Sequence, residues 1–208
     1  MNTFDKAAST WDENPMRLKL AHAVSSAIKE NIRLNAAMEA LEYGCGTGLI
    51  TVELAPCIKN ILALDASEGM LSMFRAKIER LGIKNIHPRL MDLTQGPPLN
   101  RDFDLIYTSM TLHHIQDVRG LLGKFKKMLN PGGFMALADL DLEDGTFHQK
   151  DTEGVRHNGF DRGEILDMLE SLGLKNLKAI LAHEIKKTSP DGEMRSYPVF
   201  LVVGSYTA

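Results

Sequence analysis

The stretch Ala37-Met38-Glu39-Ala40-Leu41-Glu42-Tyr43-Gly44-Cys45-Gly46-Thr47-Gly48-Leu49-Ile50-Thr51-Val52-Glu53-Leu54-Ala55 decides the fold. A short apolar run ends at Glu42, glycines follow at alternate positions 44, 46 and 48, and helical spacing begins with Leu49, Val52, Leu54 and Ala55. That order reads as strand, tight turn and helix. Glycines let the turn take positive φ and bring backbone N–H groups close to a ligand, and the helix N-terminus adds partial positive charge. The dinucleotide fingerprint needs its third glycine where Leu49 stands, and no Gly-Lys-Ser/Thr of a phosphate loop follows. A carboxylate at Glu42 would repel phosphates and suits a ligand carrying an ammonium group.

The run Glu42-Tyr43-Gly44-Cys45-Gly46-Thr47-Gly48 resembles the first motif of the class I S-adenosylmethionine (SAM) dependent methyltransferases, of the small-molecule type. The resemblance implies a Rossmann-like three-layer α/β sandwich whose seven-stranded sheet is mostly parallel with an antiparallel last strand. It implies SAM as methyl donor and S-adenosylhomocysteine (SAH) as product. Glu42 and the backbone of Gly44, Gly46 and Gly48 would hold the methionine portion, and Cys45, Thr47, Ala66, Met70 and Ser109 complete that set.

A second strand over Asn60–Asp65 leads into a helix over 66–81. Asp65 sits at the carboxyl end of a buried strand, where open α/β sheets bind ligands, and could accept hydrogen bonds from a ribose diol. The alternative is an N-cap for the next helix. A third strand, 86–92, ends in Asp92. By resemblance Asp92 would accept from the adenine amino group and the backbone of Leu93 would meet the ring nitrogen.

Composition sets outer limits. The 208 residues form one continuous alternation of elements, so a single domain over 1–208 is expected. A net charge of −3 gives no footprint for nucleic acid or an anionic membrane. Two cysteines, Cys45 and Cys57, make a disulfide framework unexpected and point to a reducing compartment. With no signal-like n-region and no apolar run of membrane-span length, a cytoplasmic protein is expected. Residues 1–33 read as a helical lid: Phe4, Ala8 and Trp11 fall on one helix face, and a helix follows over Pro15–Asn31. In small-molecule methyltransferases, which this segment resembles, such an aromatic closes over cofactor and substrate. Trp11 serving only to staple the helix to the core is the alternative.

A fourth strand, 103–110, leads into Leu112-His113-His114. The Asn/Asp-Pro-Pro-Tyr/Phe motif of amino methyltransferases acting on DNA and protein glutamine is replaced by Thr108-Ser109-Met110-Thr111, and the Pro-Cys nucleophile of cytosine C5 enzymes is missing. A small-molecule acceptor is therefore favoured over nucleic acid or protein amides. His113 or His114 could act as a base, since an unperturbed imidazole titrates near neutral pH, or could pack or cap the next helix. Adjacent histidines are expected to point in different directions, and no ligand-spaced Cys or carboxylate joins them, so no metal is expected.

A helix over 117–129 stops at Asn130-Pro131-Gly132-Gly133, and a fifth strand covers 134–140. The polar segment 141–160 reads as a substrate loop at the ligand edge, or as a solvated connection. His148 and Arg156 are its candidate substrate contacts beside Trp11, His157 is a third candidate base, and Phe147 and Phe160 are candidate apolar walls. Asp161 and Glu164 form a capping box before the last helix. Two final strands, 177–187 and 197–206, flank a polar turn at 189–193 and must be antiparallel.

The expected activity is methyl transfer from SAM to a small molecule by a monomer or homodimer. A SAM/SAH-binding protein without transferase activity and a nicotinamide-dependent oxidoreductase are the alternatives. Arsenite is disfavoured by the shortage of thiols, while a quinone, a phenolic metabolite or a small carboxylate fits as acceptor.

Overall fold

In the computed structural model, which describes residues 3–148, 154–189 and 192–207, seven strands form one sheet. They are β1 (Glu39–Tyr43), β2 (Asn60–Asp65), β3 (Ile86–Leu90), β4 (Phe103–Ser109), β5 (Leu129–Leu140), β6 (Leu174–Thr188) and β7 (Met194–Tyr206). Their spatial order is β3-β2-β1-β4-β5-β7-β6. Strands β1 to β5 pair in parallel, and β7 lies antiparallel between β5 and β6. The helices are α1 (Thr3–Ala7), α2 (Pro15–Asn31), α3 (Leu49–Leu54), α4 (Glu68–Leu81), α5 (Val118–Lys127) and α6 (Arg162–Ser171). Among the described residues, no helix is long and apolar enough to cross a membrane.

Strand β1 lies inside the sheet between β2 and β4, and both its faces are buried, as a parallel strand requires. Side chains alternate across the sheet. Ala40 points into one apolar layer with Ile61, Leu105 and Ala136, under Val24 and Ile28 of α2 and Leu54 of α3. Leu41 and Tyr43 point into the other, with Leu62, Ile106 and Leu137, against Phe125 of α5 and Ile165 of α6. Two apolar layers, one on each sheet face, give the expected three-layer α/β sandwich, and the antiparallel β7 completes the expected sheet.

Several boundaries differ from the sequence reading. Phe4, Ala8 and Trp11 do not share one α-helix. The α-helix ends at Ala7 and a 3-10 helix covers Ala8–Glu13, where three residues per turn bring Trp11 over Ala8. Strand β3 stops at Leu90, so Asp92 stands in the turn beyond it. Strand β5 begins at Leu129, and Asn130-Pro131-Gly132-Gly133 is absorbed as an irregularity. The register steps from Phe103 opposite Leu129 to Leu105 opposite Phe134, and Asn130 Nδ2 donates to Asp104 Oδ1 (2.9 Å). Strands β6 and β7 run longer than their polar composition suggests, because each supplies the other's backbone partners. Residues 149–153 of the expected substrate loop, and Pro190 and Asp191 of the last turn, lie outside the described residues.

Asp161 caps α6 as its sequence context implies: its Oδ1 accepts from Gly163 N (2.7 Å) and Glu164 N (3.1 Å). Asp161→Ala is expected to remove about 1 kcal/mol of stability. In a chain of this size that lowers the melting midpoint by roughly 2–4 °C, measurable by calorimetry.

Candidate functional site

The carboxyl ends of β1, β2 and β4 open into a cavity of about 970 Å³, at the upper end of the roughly 300–1,000 Å³ usual for ligand pockets. Its floor is the glycine turn. Gly44 N and Cys45 N donate to Leu64 O (2.8 and 3.0 Å), which moors the turn to β2. Gly48 has φ +76°, and a Cβ there would lie 2.0 Å from the Phe74 ring, so the turn can press against α4 only with glycine at 48. Gly46 has φ +53°, yet a Cβ there would meet nothing within 4 Å. Its bare backbone edge faces open space.

Asp65 holds that edge in place. One carboxylate oxygen accepts from Gly46 N (2.7 Å), the other from Ser67 N (2.8 Å). The cap of α4 is Ser67, whose hydroxyl accepts from Met70 N (3.2 Å), so Asp65 is not the N-cap. Burial pushes the Asp65 carboxyl up, against the backbone N–H groups of Ser67, Gly46 and Ala66 that pull it down. Asp65 lines the cavity with Ala66, Met70 and Ser109.

Glu42 also reaches the cavity but is 2% exposed. Its Oε2 accepts from the hydroxyls of Thr51 and Tyr107 (3.0 Å for Tyr107). Burial outweighs these two hydrogen bonds and raises its pKa from 4.5 to about 8. The Cys45 thiol is likewise buried and pushed up by desolvation, which leaves it without thiolate character at neutral pH. Asp92 Oδ1 accepts from Tyr43 OH (3.0 Å), Thr94 N (2.8 Å) and Thr94 Oγ1 (2.7 Å), and Asp92 lines the cavity. Leu93 does not line it: its side chain is buried in the core and its carbonyl accepts from Lys124 Nζ (2.7 Å).

The N-terminal segment clamps both ligand-edge turns, which the sequence reading missed. Asp12 Oδ1 accepts from the Thr47 hydroxyl (2.6 Å), and Lys77 Nζ joins Asp12 Oδ2 (2.6 Å) and Thr47 O (2.7 Å). Asp5 Oδ1 accepts from Ser67 Oγ (2.6 Å) and Gly69 N (2.9 Å) at the start of α4. Trp11 lines the cavity beside Phe4, with ring centroids 6.0 Å apart, and the Arg17 guanidinium lies 3.6 Å from the Trp11 ring centroid. Arg17 was also missed, although Arg17, Leu20 and Ala21 share the i, i+3, i+4 spacing of one helix face and all three line the cavity.

The histidines divide. His114 lines the cavity, edge-on to Phe4 at 5.2 Å. Its Nδ1 bonds Gly154 O (3.1 Å), and because a carbonyl only accepts, Nδ1 carries the proton and Nε2 is the basic nitrogen of the neutral ring. His113 is withdrawn behind it. The His113 ring is buried, Nδ1 bonds Asp139 Oδ1 (2.6 Å), and its carbonyl accepts from Arg156 N (2.8 Å) and His157 N (3.1 Å). His157 Nε2 donates to Ile115 O (2.8 Å), and neither His113 nor His157 lines the cavity. Of the three candidate bases, the fold brings only His114 to the wall.

The two adjacent rings do not diverge as expected. Both belong to the short 3-10 helix Leu112–His114, and their centroids are 4.1 Å apart. His148 packs behind them, 5.0 Å from His113 and 6.0 Å from His114. Burial, then the neighbouring imidazoles, push its pKa down to about 4, and it does not line the cavity. Phe147 and Phe160 are core residues, not cavity walls. Arg156 does line the cavity.

Residues 16–179 match the family described as "Methyltransferase domain". An uncharacterized methyltransferase of Schizosaccharomyces pombe is 30% identical over 164 residues, covering 72% of this chain and 58% of that protein. Phosphoethanolamine N-methyltransferase 1 of Triticum aestivum is 29% identical over 156 residues, 72% of this chain and 31% of the relative. The chain spans less than two thirds of the length of the first curated relatives it matches, 58% and 64%. Among solved structures, a SAM dependent methyltransferase from Aquifex aeolicus superposes with a TM-score of 0.69 at 21% identity, covering 96% of this chain and 97% of that one. A DhpI–SAH complex gives 0.70 at 20% identity, covering 97% and 93%.

The raised Glu42 pKa makes stability depend on pH. Between its ordinary 4.5 and about 8 the folded protein holds a proton that the unfolded chain releases, so this contribution is full below 4.5 and is lost as pH rises through about 8. Glu42→Gln, neutral at every pH, is expected to flatten the decline of melting temperature between about pH 5 and pH 8.5. An unchanged slope in thermal melts would show that Glu42 is not protonated in the folded state.

Proposed function

The chain belongs to the class I SAM-dependent methyltransferase family, and we propose that it transfers the SAM methyl group to a small-molecule acceptor. The observation that carries this reading is the Asp65 carboxylate at the carboxyl end of β2, tied to the glycine turn through Gly46 N and lining the cavity with it. A Cβ at Gly46 would meet nothing within 4 Å, so the turn borders open space there. The acidic lining also fits a cofactor that carries cationic and hydroxyl groups and no phosphate.

When bound, SAM supplies a methyl group already activated on a sulfonium. The chain would supply geometry, and well-aligned positioning is worth roughly 7–11 kcal/mol of barrier. The turn from Gly44 to Gly48, with Cys45, Thr47 and Glu42, would hold the methionine portion. A protonated Glu42 would have to release its proton to pair with an ammonium group. Asp65 would accept from the ribose hydroxyls, beside Ala66 and Met70. Asp92, already oriented by Tyr43 and Thr94, would take the adenine amino group, with the backbone of Leu93 beyond it. His114 is the residue placed to take a proton from an acceptor that must lose one. Ser109 would complete the cofactor contacts, Trp11 would close over the reacting groups from the 1–33 lid, and the described part of 141–160 would contribute Arg156. His113, through Asp139, is assigned the role of orienting this wall rather than of touching substrate.

Calorimetric titration of SAM and SAH into the wild type and Asp65→Ala tests the reading. Micromolar binding, about −8 kcal/mol, is expected for the wild type. The variant should bind at least about tenfold more weakly, as loss of a charge-assisted hydrogen-bond acceptor implies. Heat from NAD but none from SAM or SAH would overturn the proposal in favour of a nicotinamide-dependent oxidoreductase. Tight SAM binding with no turnover across an acceptor panel would leave a binding protein.

A further inference from the structure

The residue that follows β4 holds a backbone conformation that its side chain disfavours. Met110 has φ +52°, and among the described residues the other non-glycine residue with positive φ is Asn176. Asparagine tolerates the left-handed region because its short amide bonds locally, whereas a long side chain there is an outlier. Neighbouring contacts impose the conformation on Met110. Ser109 still pairs with Ala138 of β5, Met110 N donates to Ala138 O (2.9 Å), and the Thr111 hydroxyl donates to Ser109 O (3.0 Å). The bend ends the strand and opens the 3-10 helix Leu112–His114, so that Met110 and His114 line the cavity while Leu112 and His113 are buried. Strain that the surrounding structure over-determines in this way is concentrated at ligand sites.

Sheet order puts Met110 beside the reacting end of the cofactor. From one edge inward the strands run β3, β2, β1 and β4. The proposed cofactor contacts follow that order, adenine at Asp92 beyond β3, ribose at Asp65 on β2 and the methionine portion on the glycine turn after β1. The sulfonium joins ribose to methionine, and the nucleoside occupies the β2–β3 side, so the space left for an acceptor lies toward the end of β4, where His114 stands. The two turns touch: a Cβ at Gly44 would lie 2.2 Å from Thr111 Oγ1. Met110 shares its part of the lining with Leu20 and Ala21 of α2 and Leu49 and Ile50 of α3, all packed in one apolar layer. Its thioether is uncharged, adaptable and a weak acceptor at most.

We infer that Met110 borders the transferred methyl group and is a specificity-determining residue, presenting an uncharged, adaptable surface to the acceptor's reacting atom. This rests on the methyltransferase reading and adds to it a residue at the meeting point of the two substrates. Glycine would satisfy the φ at this position but leave that side of the methyl group uncovered.

SAM and SAH differ only in the sulfonium methyl and its charge, so the ratio of their affinities reports what borders that group. Calorimetric titration of both into the wild type comes first: binding of neither would remove the methyltransferase reading and this inference with it. Once binding is measured, Met110→Glu is expected to raise the preference for SAM over SAH at least about fivefold and Met110→Lys to lower it by a similar factor, because a charge introduced beside a sulfonium attracts or repels it. An unchanged ratio in both variants, each shown by thermal melting to be folded, would overturn the inference alone. Should the charged variants not fold, the wild type decides. With the methionine ε-methyls and the SAM methyl isotope-labelled, a nuclear Overhauser contact is expected between the SAM methyl and the ε-methyl signal that Met110→Leu removes. SAM-bound protein lacking that contact would place Met110 in the core alone and overturn the inference as well.

Discussion

The hydrogen bond from Gly46 N to Asp65 Oδ2 is the constraint on which the site depends. It ties the turn after β1 to the end of β2, two neighbouring parallel strands whose pairing runs from Glu39 opposite Asn60 to Tyr43 opposite Leu64. A parallel pair must be joined by a crossover, and here α3 is that crossover. The turn that feeds it therefore has to leave the sheet sharply at its carboxyl edge. Glycine at 48 lets that turn lie against Phe74, and at Gly46 the space beside the Cα is open. One carboxylate then serves two ends, since Asp65 also accepts from Ser67 N where α4 begins.

Burial of acids is the second theme. Glu42 stands at a position where a core strand becomes a ligand surface, and the cost of desolvating its charge is met by protonation and by the Thr51 and Tyr107 hydroxyls. The same strand's Tyr43 points to the opposite layer and fixes Asp92 with its hydroxyl, so two consecutive residues of β1 organise two separate parts of the cavity. The N-terminal segment completes the enclosure through Asp5 on the α4 turn and Asp12 on the glycine turn. Its ordering is thereby linked to the turns that a cofactor would contact.

Much of the architecture was legible because local chemistry and tertiary demand agreed. The bounds of α2 and β2 follow from Asn14-Pro15 and from the apolar run that Asp65 ends. The antiparallel end of the sheet follows from two strands with no helix between them. The misreadings share a cause: a single residue's neighbours were supplied from far away in sequence. Asn130-Pro131-Gly132-Gly133 looks like a stop signal, yet pairing with β4 on either side of it extends β5 backward to Leu129. Phe147 and Phe160, apolar residues in a polar segment, turn into the core instead of toward a ligand.

The strand-turn-helix at residues 39–54, the family resemblance and the acidic residues at the ends of β1 and β2 were legible in the sequence alone. These depend on residue type and short spacing, which backbone geometry translates directly into structure. Only the tertiary structure decided which of His113, His114, His148 and His157 meets the cavity. All four carry the same imidazole, but three are turned away by Asp139, by packing behind the adjacent rings and by the Ile115 carbonyl. Likewise the presence of Arg17 from α2 and Arg156, far apart in sequence, on the lining of one cavity has no local signature. It arises because Trp11, Phe4 and His114 bridge segments that only the folded sheet brings side by side.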